Sequence, residues 1–181
     1  KSRKDSITAF RGNLVKDPGF EDTSSPGIPA STYARNGGDR GATFFTDNRE
    51  HVEGNQSVRL VTPTDNGGTK LRFFPVNAAR GRTYILSLWA KTDPEQDHRD
   101  TIFKNRRHYF RVSLGESGTS EFNLGSEWKQ YATYFTIPAN SELPPRTNII
   151  LEMPSAGVGW FDMVQLFEAV DVKKCRVPGA F

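Results

Sequence analysis

Asp162 stands in the run Trp160-Phe161-Asp162-Met163-Val164, a single carboxylate among large apolar side chains. Burying a carboxylate in such a run is costly unless something answers its charge. A bound cation, an arginine or the cap of a turn would each do so. Cations and aromatics interleave in Arg106-Arg107-His108-Tyr109-Phe110-Arg111, a mixture that single-strand nucleic-acid sites also use. The wider stretch His98–Arg111 reads either as a loop whose guanidinium forks bind carboxylate or sulfate, or as a solvated charge run.

Catalytic motifs are missing from the chain. There is no Walker loop, GxGxxG, HExxH, EF-hand spacing or GxSxG elbow. His51, His98 and His108 have no carboxylate or cysteine at a ligand-like spacing, so they do not suggest zinc. Jelly-roll hydrolases need two opposed carboxylates about 5–10 Å apart, and Glu116, Glu121, Glu127 and Glu152 form no such pair in a hydrolase-like strand motif. Cys175 is alone, which excludes an internal disulfide framework. Asn55-Gln56-Ser57 matches the glycosylation sequon, which matters only in a eukaryotic secretory pathway.

The elements that must position these residues are strands. The 181 residues suit one compact domain, 35% hydrophobic and 25% charged, with 24 Lys and Arg against 21 Asp and Glu. The net charge of +3 is too small to demand nucleic acid, and no RNA-binding motif is present. No apolar run approaches the ~18 residues of a membrane span, and Lys1–Asp5 opens no signal peptide. Alternating patterns predict strands at Leu71–Phe74, Tyr84–Lys91, Tyr109–Leu114, Tyr131–Ile137, Asn148–Met153 and Trp160–Phe167. Shorter strand-like runs occupy Asn13–Glu21, Thr43–Asp47 and Ser57–Thr62. Turn residues separate them, and no amphipathic helical stripe appears. The expectation is all-β: a jelly-roll sandwich of two antiparallel sheets over residues 13–169. Residues 1–12 and 170–181 read as extensions or linkers, and 22–40 and 93–107 as rim loops.

Five segments in order carry a resemblance. They are Asp17-Pro18-Gly19-Phe20-Glu21, Glu53 to Leu60, Gly81 to Lys91, Ser126 to Tyr131 with Phe135-Thr136-Ile137-Pro138, and Gly159 to Leu166. The chain resembles carbohydrate-binding modules of the family 4/9 type, with their galactose-binding-like β-sandwich. That resemblance implies a non-catalytic, monomeric module that binds a polysaccharide or oligosaccharide. It also implies a parent catalytic domain in cis, a glycoside hydrolase or related enzyme, outside or at the surface of a bacterial cell. It further implies a structural calcium where the first and last strands meet. The matching positions are the Gly19 carbonyl, Glu21, Glu53, the Gln56 carbonyl and Asp162, an oxygen set of the kind calcium prefers.

Strand parity nominates the sugar-facing residues. If Phe110, Val112 and Leu114 face the core, Tyr109 and Arg111 face outward. The same step places outward Arg72 and Phe74, Trp89 and Lys91, and Gln130 and Tyr134. Flat rings suit the CH face of a pyranose, and the polar members suit its hydroxyls. Trp128 and Trp160 go to the core or its edge. Parity does not say which of these strands share a sheet. Rival readings are a spacer that has lost its ligand, a nucleic-acid binder and an enzyme.

Overall fold

The computed structural model describes residues 10–33, 43–64, 68–93, 108–140 and 146–169. The N- and C-terminal segments, the basic stretch 94–107 and part of the 22–40 loop lie outside the described residues. All regular structure among the described residues is strand: β1 (Phe10–Arg11), β2 (Thr23–Ser25), β3 (Ile28–Pro29), β4 (Thr43–Asp47), β5 (Ser57–Thr62), β6 (Thr69–Arg72), β7 (Val76–Asn77), β8 (Thr83–Thr92), β9 (Tyr109–Leu114), β10 (Thr119–Asn123), β11 (Lys129–Thr136), β12 (Arg146–Thr147), β13 (Ile149–Met153) and β14 (Gly157–Ala169).

Two antiparallel sheets face each other, as the alternation predicts. The large one runs β11-β8-β14-β5-β4, with β1 also paired to β14, and the small one runs β10-β9-β13-β6. Two short ribbons, β12-β7 and β2-β3, complete the set. Pairing already involves Phe10 and Arg11, which match Ala169 and Glu168, so the sheet begins before residue 13.

The inward residues of both sheets make one core. The large sheet contributes Val58, Leu60, Tyr84, Leu86, Leu88, Phe135, Phe161 and Leu166, and the small one Leu71, Phe110, Val112, Leu114, Ile149 and Leu151. At its centre the Phe110 ring lies 5.1 Å from Tyr131 and 5.3 Å from Phe161, both edge-on, and 5.4 Å from Phe122. Gly159 belongs to the packing: a Cβ there would lie 2.6 Å from Met153 Sδ and 2.9 Å from Phe161. Only glycine lets the sheets approach this closely at that point.

The strand expected at Asn13–Glu21 does not form. Asp17 and Phe20 have positive φ values of 52° and 59°, and the Asp17 carboxylate accepts the amides of Glu21 and Asp22 at 2.7 and 3.2 Å. Side-chain capping of this kind competes with a strand ladder. The segment is therefore a tight turn. Trp160 also departs from expectation. It is buried at 3% exposure, yet projects from the large sheet's outer face, because its neighbour Phe161 takes the inward position.

Candidate functional site

The sandwich has two outer faces, and they differ sharply in exposure. On the large sheet, the outward residues Ile85, Ser87, Ala132, Trp160 and Asp162 are buried, Trp89, Lys91 and Gln130 are half-buried, and Tyr134 is exposed at 38%. Arg59 sits between Phe45 and Trp160, 5.3 Å from each ring, and the Lys91 ammonium lies 5.5 Å from Trp160 and 5.9 Å from Trp128. Lys91 also meets Glu50 at 2.7 Å, and Trp160 Nε1 donates to Asp47 at 3.0 Å. This face is an interlocked aromatic–cation row with partners already in place.

Asp162 anchors its covering loop. A register shift in β14 between Asp162 and Gln165, with Met163 at φ 50°, forms a bulge. The carboxylate there accepts Met163 N–H at 2.7 Å on one oxygen, and Val52 and Glu53 N–H at 2.7 and 3.2 Å on the other. Burial pushes the Asp162 carboxyl above its ordinary range, outweighing these amides, and the Glu21 charge adds to the rise. Glu21 is also affected by burial, but the N–H donors of Asn55 and Gln56 prevail and hold its carboxyl below the usual value.

Gly54 has φ +76°, and a Cβ on it would lie 2.1 Å from Glu21 Oε1. The loop therefore wraps its backbone directly onto that carboxylate. Gly19, Glu21, Gln56 and Asp162 come together here: a Cβ on Gly19 would be 3.7 Å from Glu21 Cγ and 3.8 Å from Asp162 Oδ1, and Gln56 Nε2 bonds the Phe20 carbonyl. Glu53 contributes its N–H to Asp162, while the residue itself is exposed.

The small sheet's outer face is open. In register across it run Glu121, Arg111, Glu152 and Lys70, a row of alternating charge. Arg111 Nε meets Glu121 at 3.0 Å and Lys70 Nζ meets Glu152 at 3.3 Å. The bond to Glu121 chiefly raises the Arg111 pKa, so the guanidinium stays charged. It also lies 5.5 Å from the Tyr109 ring. Arg72 occupies the next row beside Ile150 and Ser113.

Beyond β6 the sheet continues through a bridge between Thr32 and Phe73. There the Tyr33 and Phe74 rings pair at 4.7 Å, exposed by 39% and 47%. No outward residue of this sheet's four strands is buried. Exposed ion pairs contribute only ~0–1 kcal/mol each, so a ligand can rearrange them cheaply.

The eight nominated residues thus divide between opposite faces. Arg72, Phe74, Tyr109 and Arg111 share the open face, whereas Trp89, Lys91, Gln130 and Tyr134 lie on the largely closed one. Parity gave these eight residues the outward positions they occupy, but sheet membership separates the set. Lys70, Glu121 and Glu152 join the open face only through the register. The more apolar pattern of Asn148–Met153 assigned Glu152 to no face, and Glu121 needs the short strand β10, which the sequence pattern did not announce.

No protein-family model matches the chain, and no curated protein matches it in sequence. Solved structures match across most of its length. The CBM22-1 xylan-binding domain from Paenibacillus barcinonensis Xyn10C is 11% identical with a TM-score of 0.55, covering 89% of this chain and 97% of that domain. TmCBM61, solved in complex with β-1,4-galactotriose, is 17% identical with a TM-score of 0.56, covering 87% and 99%. The Stig cyclase Fisc from Fischerella sp. TAU, in complex with a pyrrolidinylidene-indole, is 15% identical with a TM-score of 0.63, covering 88% and 98%. At these identities the likeness establishes the β-sandwich fold.

Proposed function

We propose that the chain is a non-catalytic carbohydrate-binding module that lays a polysaccharide across the outer face of the small sheet. The observation that carries this is the difference between the faces: on the large sheet Ile85, Ser87, Ala132, Trp160 and Asp162 are buried, whereas on the small one no outward strand residue is buried, and Tyr109, Arg111, Glu121, Glu152, Lys70 and Arg72 are presented. A ring beside paired charges offers a stacking surface together with donors and acceptors for hydroxyls. Two structural neighbours are described as binding xylan or galactotriose, which supports the same reading.

Charges on the row balance, so the ligand we favour is a neutral glycan. The anionic alternative rests mainly on residues 98–107, outside the described residues. In this reading the module is monomeric and targets an attached glycoside hydrolase or related enzyme outside a bacterial cell. Release of reducing sugar by the chain alone would contradict the non-catalytic role.

Binding to a polysaccharide array, followed by affinity measurement on the glycan retained, tests the face. Tyr109→Ala and Arg111→Ala should each weaken binding by about tenfold or more without changing the melting temperature. Trp89→Ala should leave affinity near that of the unaltered chain. The opposite pattern would transfer the site to the large sheet, and silence across the array would favour a spacer.

A structural calcium at the Glu21–Asp162 junction belongs to the same proposal. What supports it is that the carboxylates of Glu21 and Asp162 both lie beside Gly19 and that the Glu21 charge adds to the rise of the Asp162 carboxyl, although the described residues hold no group of three or more His, Cys, Asp or Glu side chains suited to a metal ion. Each carboxylate already accepts amides, so calcium would use remaining lone pairs and add to the loop's attachment. Chelation is expected to lower the melting temperature by several degrees, and an unchanged melt would remove calcium from the account.

A further inference from the structure

Beside the edge of the small sheet, a groove of about 390 Å³ is lined by Leu14, Val15, Phe73, Phe74, Pro75 and Val76, with Lys16, Asp17, Asp22 and Ser31 as its polar members. Three features mark it. The Phe74 ring forms part of its wall while remaining half exposed, and stacks outside on Tyr33. These two are among the few large apolar side chains left in solvent among the described residues, and exposed aromatic surface of this kind marks a binding site more often than chance. Second, Ser31 is 7% exposed, and its hydroxyl is buried with no hydrogen-bond partner. Buried polar groups are normally satisfied, so this orphan hydroxyl is an unmet polar group within the groove wall, covered by the atoms around it. Third, its charged members are two carboxylates, Asp17 and Asp22, and one ammonium, Lys16, so acidic groups outnumber basic ones. Asp17 has both oxygens committed to the amides of Glu21 and Asp22, while Asp22 is exposed at the rim as an acceptor.

We infer that this groove is a second binding site, for a single neutral pyranose, adjoining the open sheet face at Phe74 and separate from its Tyr109–Arg111 part. The volume lies at the small end of the ~300–1,000 Å³ range of ligand sites, which suits one ring rather than a run of them. Phe74 supplies the stacking platform, the aliphatic wall takes the opposite CH surface, and Asp22 at the rim meets hydroxyls. A groove of this volume accepts one ring, from a chain end or a free sugar.

The experiment is a ¹H–¹⁵N NMR titration of the whole chain with methyl glycosides of glucose, galactose, mannose and xylose, with glucuronate and indole as separate arms. Saturable shifts of the Ser31, Phe74 and Val76 amides are expected with at least one neutral glycoside. Phe74→Ala should weaken that binding about tenfold while the remaining spectrum is retained, and Tyr33→Ala gives a second, solvent-exposed variant. No shift at these amides with any neutral glycoside overturns the site, and stronger binding of glucuronate or indole overturns the assigned chemistry. The two sites fail separately. Shifts confined to Tyr109 and Arg111 would remove the groove, whereas shifts confined to the groove would remove the sheet face.

Discussion

Phe110→Ala is expected to destabilise the chain by about 3–5 kcal/mol, the range for large-to-small changes of a fully buried aromatic. The ring has no exposed surface and touches both sheets: Phe122 on its own side, and Tyr131 and Phe161 on the other. Removing it leaves a void between two walls held apart by their own ladders, so little collapse can refill it. Its edge-on contacts add about 0.5–1.5 kcal/mol per pair beyond area burial. For a chain of this size the melting temperature should fall by roughly 10 °C, and the urea midpoint should shift with it. A loss below about 1 kcal/mol would mean that the two sheets are not packed through this ring.

Asp162→Ala carries the second large effect. The carboxylate has no exposed surface and takes three backbone N–H bonds, from Val52, Glu53 and Met163. Deleting it leaves those donors without an acceptor, and each unmet buried group costs about 1–3 kcal/mol. Solvent can reach the loop side once it loosens, so a total near 3 kcal/mol is expected rather than the full sum. Asp162→Asn retains one carbonyl acceptor and should lose less. Protease cutting within 48–56 should increase in the alanine variant, because both of its anchors act on that loop. If calcium contributes as proposed, the same variant loses its response to chelator. Equal stability of the alanine and asparagine variants would show that the amide bonds hold nothing.

Much of the fold was legible because burial on one side imposes a period of two on the chain. Tyr109–Leu114, Thr43–Asp47 and Ser57–Thr62 form strands at the bounds their patterns implied. Asn13–Glu21 misled because the apolar pair Leu14-Val15 reads as the start of a strand while Asp17 caps a turn, and capping is a matter of geometry that composition does not record. Strands β7 and β12, two residues each, offer too few positions for any period to show. At the candidate site Arg72, Phe74, Tyr109 and Arg111 could be named in advance. Lys70 could not, since its place in the charge row depends on pairing with Glu152 some eighty residues away in the chain.

The sequence by itself determined the class of fold, the inward and outward residues of β8, β9 and β11, and the absence of the common catalytic motifs. Those properties are local: they follow from side-chain type and from the alternation of Cβ direction along an extended backbone. Tertiary structure alone decided which outward residues share a face. Strand partners are set by order in the sheet, β11-β8-β14-β5-β4 against β10-β9-β13-β6, and that order bears no simple relation to order in the chain. It also decided which face is open, because the loop that closes over Asp162 is held by carboxylates more than a hundred residues apart, Glu21 and Asp162.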